Sequence, residues 1–460
     1  MLKRKVDSLL NYWKNNRNQA IIITGARQIG KTYSIEKFLN ENFDNYIEIN
    51  FAMRTNLIDL FAAIPESNNV LLLLSAIEGE KLVPHKTAIF FDEIQLLYRR
   101  REELKRQGLL DPNSQDLLTA VKSLVLDGRY RFIFSGSLLG VSIKDVVLNP
   151  TGYLDRYQMY PLDFEEFLWA KGVGDEAIIY LKNCFDRKEE VDNSINKIFL
   201  DYYREYLLIG GMPEAVSSYI SDSNLYNVEV VQKQIIENYH IDITTYVDDD
   251  EKKIRLREIY DAIPAELNNR NKRFISSHVL ERNYLKKNSI EDEFLWLRYA
   301  GVAIPVYNVT EAVIPLVLAS ERKTLKLFYN DIGLLCASLL STGIRERILM
   351  KDLNINFGAP VENAVAQELY AHGFNDKLFY YNSKKHGEVD FIIEYENTIL
   401  PIEVKSGETN QTNTYNHNVL NNLIKLYDIK NAYVFGDCNI KKETDVIYQF
   451  PIYMISFIKR

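Results

Sequence analysis

One eight-residue stretch constrains this chain more than any other. Gly25-Ala26-Arg27-Gln28-Ile29-Gly30-Lys31-Thr32 follows a short apolar, β-branched run, Ala20 to Thr24, and leads into a helical pattern, Tyr33 to Asn40. Strand, glycine loop and helix in that order form a phosphate cradle. The glycines let backbone N–H groups curl around phosphate oxygens, and the helix N-terminus adds favourable partial charge. Lys31 neutralises the outer phosphates and Thr32 offers its hydroxyl to magnesium, so ATP and Mg2+ are the expected ligands.

A second stretch supplies the complementary chemistry. Ala88 to Phe91 is an apolar strand that delivers Asp92 and Glu93 at its carboxyl end, where open α/β sheets bind their ligands. Asp92 is expected to hold magnesium, directly or through water, and Glu93 to polarise an attacking water. Ser135, after the strand Arg131 to Phe134, is a candidate sensor of the γ-phosphate; a polar turn is the alternative. Arg156 is a candidate phosphate-reaching arginine, in cis or in trans, against the alternative of an ordinary surface arginine.

With 460 residues the chain exceeds one hydrophobic core, and roughly three to four folding units are expected. Further strand patterns, Tyr46 to Phe51 among them, alternate with helical ones, which predicts a parallel α/β sheet. The pattern turns helical from Ile178 to about Asp250, broken at Gly210-Gly211-Met212-Pro213. Lys253 to Asn308 combines helical periods with a strand-like end, Ala303 to Val309, as a winged helix does. A second α/β unit follows: a helix from Val361 to His372, strands Leu378 to Tyr381, Val389 to Tyr395 and Ile399 to Val404, a helix near Val419 to Tyr427 and a strand near Ala432 to Phe435.

The net charge of -8 argues against coating nucleic acid or anionic membrane by bulk electrostatics. Three widely spaced cysteines, without any Cys-x-x-Cys spacing, indicate neither a disulfide framework nor a zinc site and fit a reducing cytoplasm. The most apolar run, Val70 to Ile77, is short of a membrane span, and the amphipathic N-terminus lacks a signal-peptide core, so no targeting segment is expected.

The C-terminal unit has its own chemical pattern. Glu388-Val389-Asp390 lies on one strand and Glu403-Val404-Lys405 on the next. Because strand side chains alternate, Glu403 and Lys405 share a face that Asp390 can meet. Asp390 and Glu403 could hold a metal that activates water for phosphodiester cleavage, with Lys405 orienting the water. A structural ion-pair cluster is the alternative. Arg270, Lys272, Arg273, Arg282, Lys286 and Lys287 form a local basic stretch that could contact DNA, although Glu281 and Glu291 are interleaved and a solvated helix face explains it as well.

Together the motifs resemble the prokaryotic AAA-type P-loop ATPases, of archaeal or STAND-like lineage, fused to a C-terminal domain of unknown function. The resemblance rests on Gly25 to Thr32, Phe90 to Gln95, Ser135 to Gly140, Tyr160 to Phe167, Gly210 to Val216 and Lys326 to Leu335. It implies an AAA-type ATPase core (1–175), a helical lid or connector (176–250), a winged-helix-like domain (251–335) and a restriction-endonuclease-like domain (336–460). It also implies Glu362 as a further acid of a nuclease-type site, and a homo-oligomer, since many AAA proteins share nucleotide sites between subunits. One departure is the longer, more basic segment Leu97 to Pro112, including Arg99, Arg100 and Arg101, which could touch a polyanion or present a solvated helix face. The expected activity is ATP hydrolysis coupled to a DNA-associated, nuclease-type domain; the alternative is an ATP-gated switch whose C-terminal domain binds without cutting.

Overall fold

The computed structural model describes residues 2–137, 152–247, 249–269, 273–274, 290–351, 357–408 and 414–460. Leu138 to Gly140 and the basic residues Arg270, Lys272, Arg282, Lys286 and Lys287 lie outside the described residues. The chain divides into two compact units, one formed by Lys3–Tyr160 with Tyr299–Gly301, the other by Pro161–Arg298 and Val302–Arg460 with the first two residues.

The smaller unit is built on a five-stranded sheet: β1 (Ala20–Thr24), β2 (Asn45–Asn50), β3 (Thr87–Asp92), β4 (Arg131–Gly136) and β5 (Leu154–Gln158), in the order β2-β3-β4-β1-β5. Every neighbouring pair is parallel. β1 and β3 are buried along their whole length, as strands covered on both faces must be, which explains their unbroken apolar sequences. The order inserts β4 between β1 and β3, so the ends of all three open onto one edge of the sheet. Phe51, Phe91 and Phe134 stack in the core of this unit, with Phe61 edge-on to Phe51 and Phe91.

The expected amphipathic first helix forms over Lys5–Asn16 and buries Val6, Leu10 and Trp13. The basic segment after β3 is a helix, Gln95–Arg106, and two of its arginines are engaged with neighbouring groups. Arg101 donates to the carbonyls of Ala62, Ser114 and Gln115, and Arg100 pairs with Asp59 and Glu103. They fasten this helix to the short helix Ile58–Ala62 and to the segment Ser114–Gln115.

In the larger unit eight strands form one mixed sheet: β6 (Ala303–Val309), β7 (Ser320–Tyr329), β8 (Phe379–Ser383), β9 (Gly387–Tyr395), β10 (Thr398–Glu408), β11 (Ala432–Asp437), β12 (Lys441–Lys442) and β13 (Ile447–Pro451). The order is β12-β13-β11-β10-β9-β8-β6-β7. β6 pairs antiparallel with β7 and parallel with β8, so Ala303–Val309 belongs to this sheet. The helix Gly358–Leu369 packs on β7 and β10 and is buried on every side, so its polar residues Glu362, Asn363, Gln367 and Glu368 are buried with it.

The double glycine has a packing reason. A Cβ on Gly211 would stand 2.0 Å from the Leu162 carbonyl oxygen, and one on Gly210, where φ is +73°, would stand 2.3 Å from Asp331 Oδ1. Asp331 uses that approach to accept from the Gly211 N–H at 2.6 Å and to cap the helix Ile332–Leu339. Two motifs far apart in sequence are therefore halves of one joint. Among the described residues no helix is long and apolar enough to cross a membrane.

Candidate functional site

The loop after β1 has the backbone that its sequence requires. Gly25 takes φ +150°, Gln28 +63° and Gly30 +84°, and Gly30 passes directly into the helix Lys31–Asn42. A Cβ on Gly25 would stand 2.3 Å from the Met159 carbonyl oxygen and 2.6 Å from Ile29, so a side chain cannot replace the hydrogen there. Lys31 is buried; its Nζ donates to the carbonyls of Ala26 at 2.7 Å and Gly25 at 3.2 Å. The ammonium is thereby held over the loop by acceptors that phosphate oxygens can replace.

Asp92 is the hub of the site. Fully buried at the end of β3, its Oδ2 accepts from the Thr32 hydroxyl at 2.8 Å and from Asn50 Nδ2 at 2.9 Å. Its Oδ1 accepts from the Glu93 N–H at 2.9 Å and from the Ser135 hydroxyl. The donors come from the helix after β1, the end of β2, the residue after β3 and the end of β4. Glu93 sits at φ +55°, a left-handed conformation that costs a non-glycine residue of order 1 kcal/mol, and Gln95 Nε2 holds its carboxylate. Strain of this kind at the end of a buried strand aims a side chain out of the sheet plane.

Residues 17–168 match the family model described as an AAA domain. The chain carries a P-loop ATPase domain of the AAA type. Beyond that AAA domain, residues 200–345 and 357–455 match two families described as domains of unknown function, DUF8612 and DUF4143. No curated protein matches the chain. Among solved structures, the Walker-type ATPase PABY2304 of Pyrococcus abyssi is similar at 14% identity over 74% of this chain and 96% of that one, TM-score 0.40. The Thermotoga maritima RuvB Holliday junction branch migration motor shares 16% identity over 66% of this chain and 89% of its own, TM-score 0.27. PCH-2 of C. elegans shares 14% over 50% and 67%, TM-score 0.28.

Several residues of the ATPase domain take places that sequence did not reveal. Asn50 belongs to no motif, yet it pairs in register with Asp92; its position at the carboxyl end of the neighbouring strand is the sequence signal that points to it. Arg4 is almost completely buried and donates to the carbonyls of Ile29 at 3.0 Å and Tyr160 at 2.8 Å, bracing the phosphate loop from behind. Only the folded chain brings it there. Ser135, the candidate sensor, spends its hydroxyl on Asp92, while the Ser137 hydroxyl is buried with no partner among the described residues. Arg156 lies exposed on the edge strand β5 opposite Ile22, two positions before the pairing of Thr24 with Gln158; burial of part of its side chain lowers its pKa.

The larger unit brings Glu362, Asp390, Glu403 and Lys405 to one face of its sheet. Asp390 Oδ2 accepts from the Val404 N–H at 2.9 Å, tying β9 to β10, and Lys405 Nζ stands 3.0 Å from Glu403 Oε1. Burial, then the neighbouring Asp390 charge, push the Glu403 carboxyl up to about 8 despite Lys405. A residue outside the expected set sits among them. Lys326 of β7, fully buried, places Nζ 2.8 Å from Glu388, 3.8 Å from Glu362 and 3.9 Å from Asp390, with the Tyr380 ring 5.1 Å away. Burial works to lower its pKa, but the three carboxylates raise it overall, so the ammonium stays charged. Arg273, the one member of the basic stretch among the described residues, adds its guanidinium 3.7 Å from Glu388.

Proposed function

We propose that this protein hydrolyses ATP at Gly25–Thr32 and uses its nucleotide state to govern what the C-terminal unit binds, without cutting it. The observation that carries the first half is the convergence of Thr32, Asn50, Ser135 and the Glu93 N–H on the Asp92 carboxylate. The fit to a nucleotide is supported by the loop: Gly25 admits no side chain, and Lys31 is held by carbonyls.

In this reading the loop N–H groups and Lys31 bind the β- and γ-phosphates, and Ala26, Arg27, Gln28 and Ile29 contribute backbone. Thr32 and Asp92 would hold magnesium, which supplies charge neutralisation on the phosphates. Glu93, fixed by its strained backbone and by Gln95, orients a water and accepts its proton. Ser137 is better placed than Ser135 to meet a γ-phosphate, because Ser135 is already bonded to Asp92. Lys31→Ala should abolish nucleotide binding, and Glu93→Gln should retain binding while stopping turnover. Equal hydrolysis by wild type and Glu93→Gln would overturn the assignment of the base.

The second half rests on Lys326. An ammonium lying between Glu362, Glu388 and Asp390 fills the acidic face with positive charge, which favours a binding unit over a metal-dependent nuclease. Residues 1–175 then act as the nucleotide-handling part and 336–460 as the output part, with 176–335 connecting them and DNA as the first ligand to test. The competing reading keeps Asp390 and Glu403 as metal ligands with Lys405 and Glu362 assisting cleavage. Magnesium- or manganese-dependent nicking of DNA by the full chain, lost in Asp390→Ala, would decide for it.

A further inference from the structure

Asp163, Glu368 and His372 form a group that takes part in neither site already described. Glu368 and His372 are four residues apart, so they share a helix face, on Gly358–Leu369 and the turn that continues it. Asp163 is the N-cap of the helix Phe164–Ala170. Asp163 and Glu368 are buried and His372 nearly so. Their ligand atoms all lie within 4.8 Å of one another, the one such grouping found among the described residues.

Each side chain is held by its other polar atom. Asp163 Oδ1 accepts from the Glu166 N–H at 2.9 Å. Glu368 Oε1 accepts from the Phe164 N–H at 2.7 Å, and the Tyr206 hydroxyl lies 3.2 Å from it. His372 Nδ1 faces the Ile458 carbonyl at 3.2 Å, which fixes the proton on Nδ1 and turns the Nε2 lone pair inward. Nε2 then meets Asp163 Oδ2 at 3.1 Å and Glu368 Oε2 at 3.6 Å. Ligands about 2.0–2.1 Å from a tetrahedral dication are about 3.3 Å apart, close to both separations. An outer ring of hydrogen bonds orienting each ligand is also what metal sites carry.

The geometry points to a structural site for a divalent transition-metal ion of the zinc class, bound by Asp163 Oδ2, Glu368 Oε2 and His372 Nε2. One imidazole among two carboxylates selects zinc over magnesium, which takes oxygen ligands and keeps its waters. A dication neutralises the two buried carboxylates while the imidazole stays neutral, whereas an imidazolium alone offsets only one of them. The ion pins the start of Phe164–Ala170 to the end of Gly358–Leu369, two segments about two hundred residues apart in the chain.

The test uses the purified full chain, its metal content measured by mass spectrometry, then stripped with chelator and refilled with Zn2+ or Co2+. We expect roughly one zinc ion per chain. Zinc should raise the Tm of the stripped protein by at least about 2 °C. Cobalt should give a visible absorption band that Glu368→Gln and Asp163→Asn lose and Lys31→Ala keeps. The cobalt band of the unaltered chain needs no variant, so misfolding of a variant leaves the test intact. A full chain without stoichiometric metal, with no cobalt band and a Tm indifferent to zinc and chelator, overturns the proposal and leaves a protonated His372 bridging two carboxylates.

Discussion

The Thr32 hydroxyl donates to the Asp92 carboxylate across 2.8 Å, joining the helix that follows the phosphate loop to the end of a strand two places away in the sheet. Asn50 donates to the same oxygen. Replacing Asn50 by Ala removes one of the donors that orient Asp92 while sparing the phosphate loop. ATP affinity should then change little, and kcat should fall by roughly tenfold or more, as when an outer partner of a metal ligand is lost. Steady-state hydrolysis at several magnesium concentrations measures this.

Glu93→Gln keeps the size and the Gln95 contact of the side chain but cannot accept a proton. Loss of a general base costs about 10²–10⁴ in rate, so turnover should fall by that order while nucleotide binding, followed by fluorescent-analogue titration, persists. Lys31→Ala should show the opposite pattern, with binding itself gone.

Arg4 fills buried space and satisfies two carbonyls behind the phosphate loop. Arg4→Ala strands both acceptors, and the smaller unit should lose about 2 kcal/mol or more. Denaturant melting would show it, and the Ile29 backbone would lose protection in hydrogen exchange. Arg4→Lys, with one donor head in place of a fork, should recover only part of the loss.

Glu403 carries the clearest pH signature. Its carboxyl titrates at about 8 in the fold against an ordinary value of 4.5, with burial the main cause and the Asp390 charge next. The folded protein therefore binds this proton more tightly than the unfolded chain. The stability it contributes is fully present below 4.5 and is lost as pH rises through about 8. Glu403→Gln should flatten the stability–pH curve across that window, as chemical denaturation at a series of pH values would reveal.

Lys326 is buried among Glu362, Glu388 and Asp390. Lys326→Met removes the buried ammonium that faces Glu362, Glu388 and Asp390, a change on the order of 3 kcal/mol at neutral pH. Because the carboxylates can take up protons instead, the loss should shrink at pH 5. Melting Lys326→Met and wild type at pH 5 and pH 8 distinguishes this from a simple packing defect, which would be the same at both.

Local chemistry made the strands legible. Ala20–Thr24 forms over the bounds that its apolar run implies, and Ala88 to Phe91 extends by one residue at each end. Short β-branched runs buried on both faces announce themselves; Lys31 and Thr32 could be read from the fixed spacing of the glycine loop, and Asp92 and Glu93 from their place at the carboxyl end of such a run. Strand alternation alone put Glu403 and Lys405 on one face of β10, where their side chains stand 3.0 Å apart.

What the sequence determined by itself was therefore the identity of groups that act next to their chain neighbours: the loop, the acidic pair and the β9–β10 carboxylates. Tertiary structure decided which distant groups complete them. Asn50, Arg4 and Lys326 carry no local pattern, since an asparagine at a strand end, an arginine near a terminus or a lysine in a strand is ordinarily solvated. They acquire meaning only when the fold brings them to their partners, burying Arg4 and Lys326 and half-burying Asn50, because a donor or charge taken from water must find its partner and here the partners lie dozens to more than a hundred residues away.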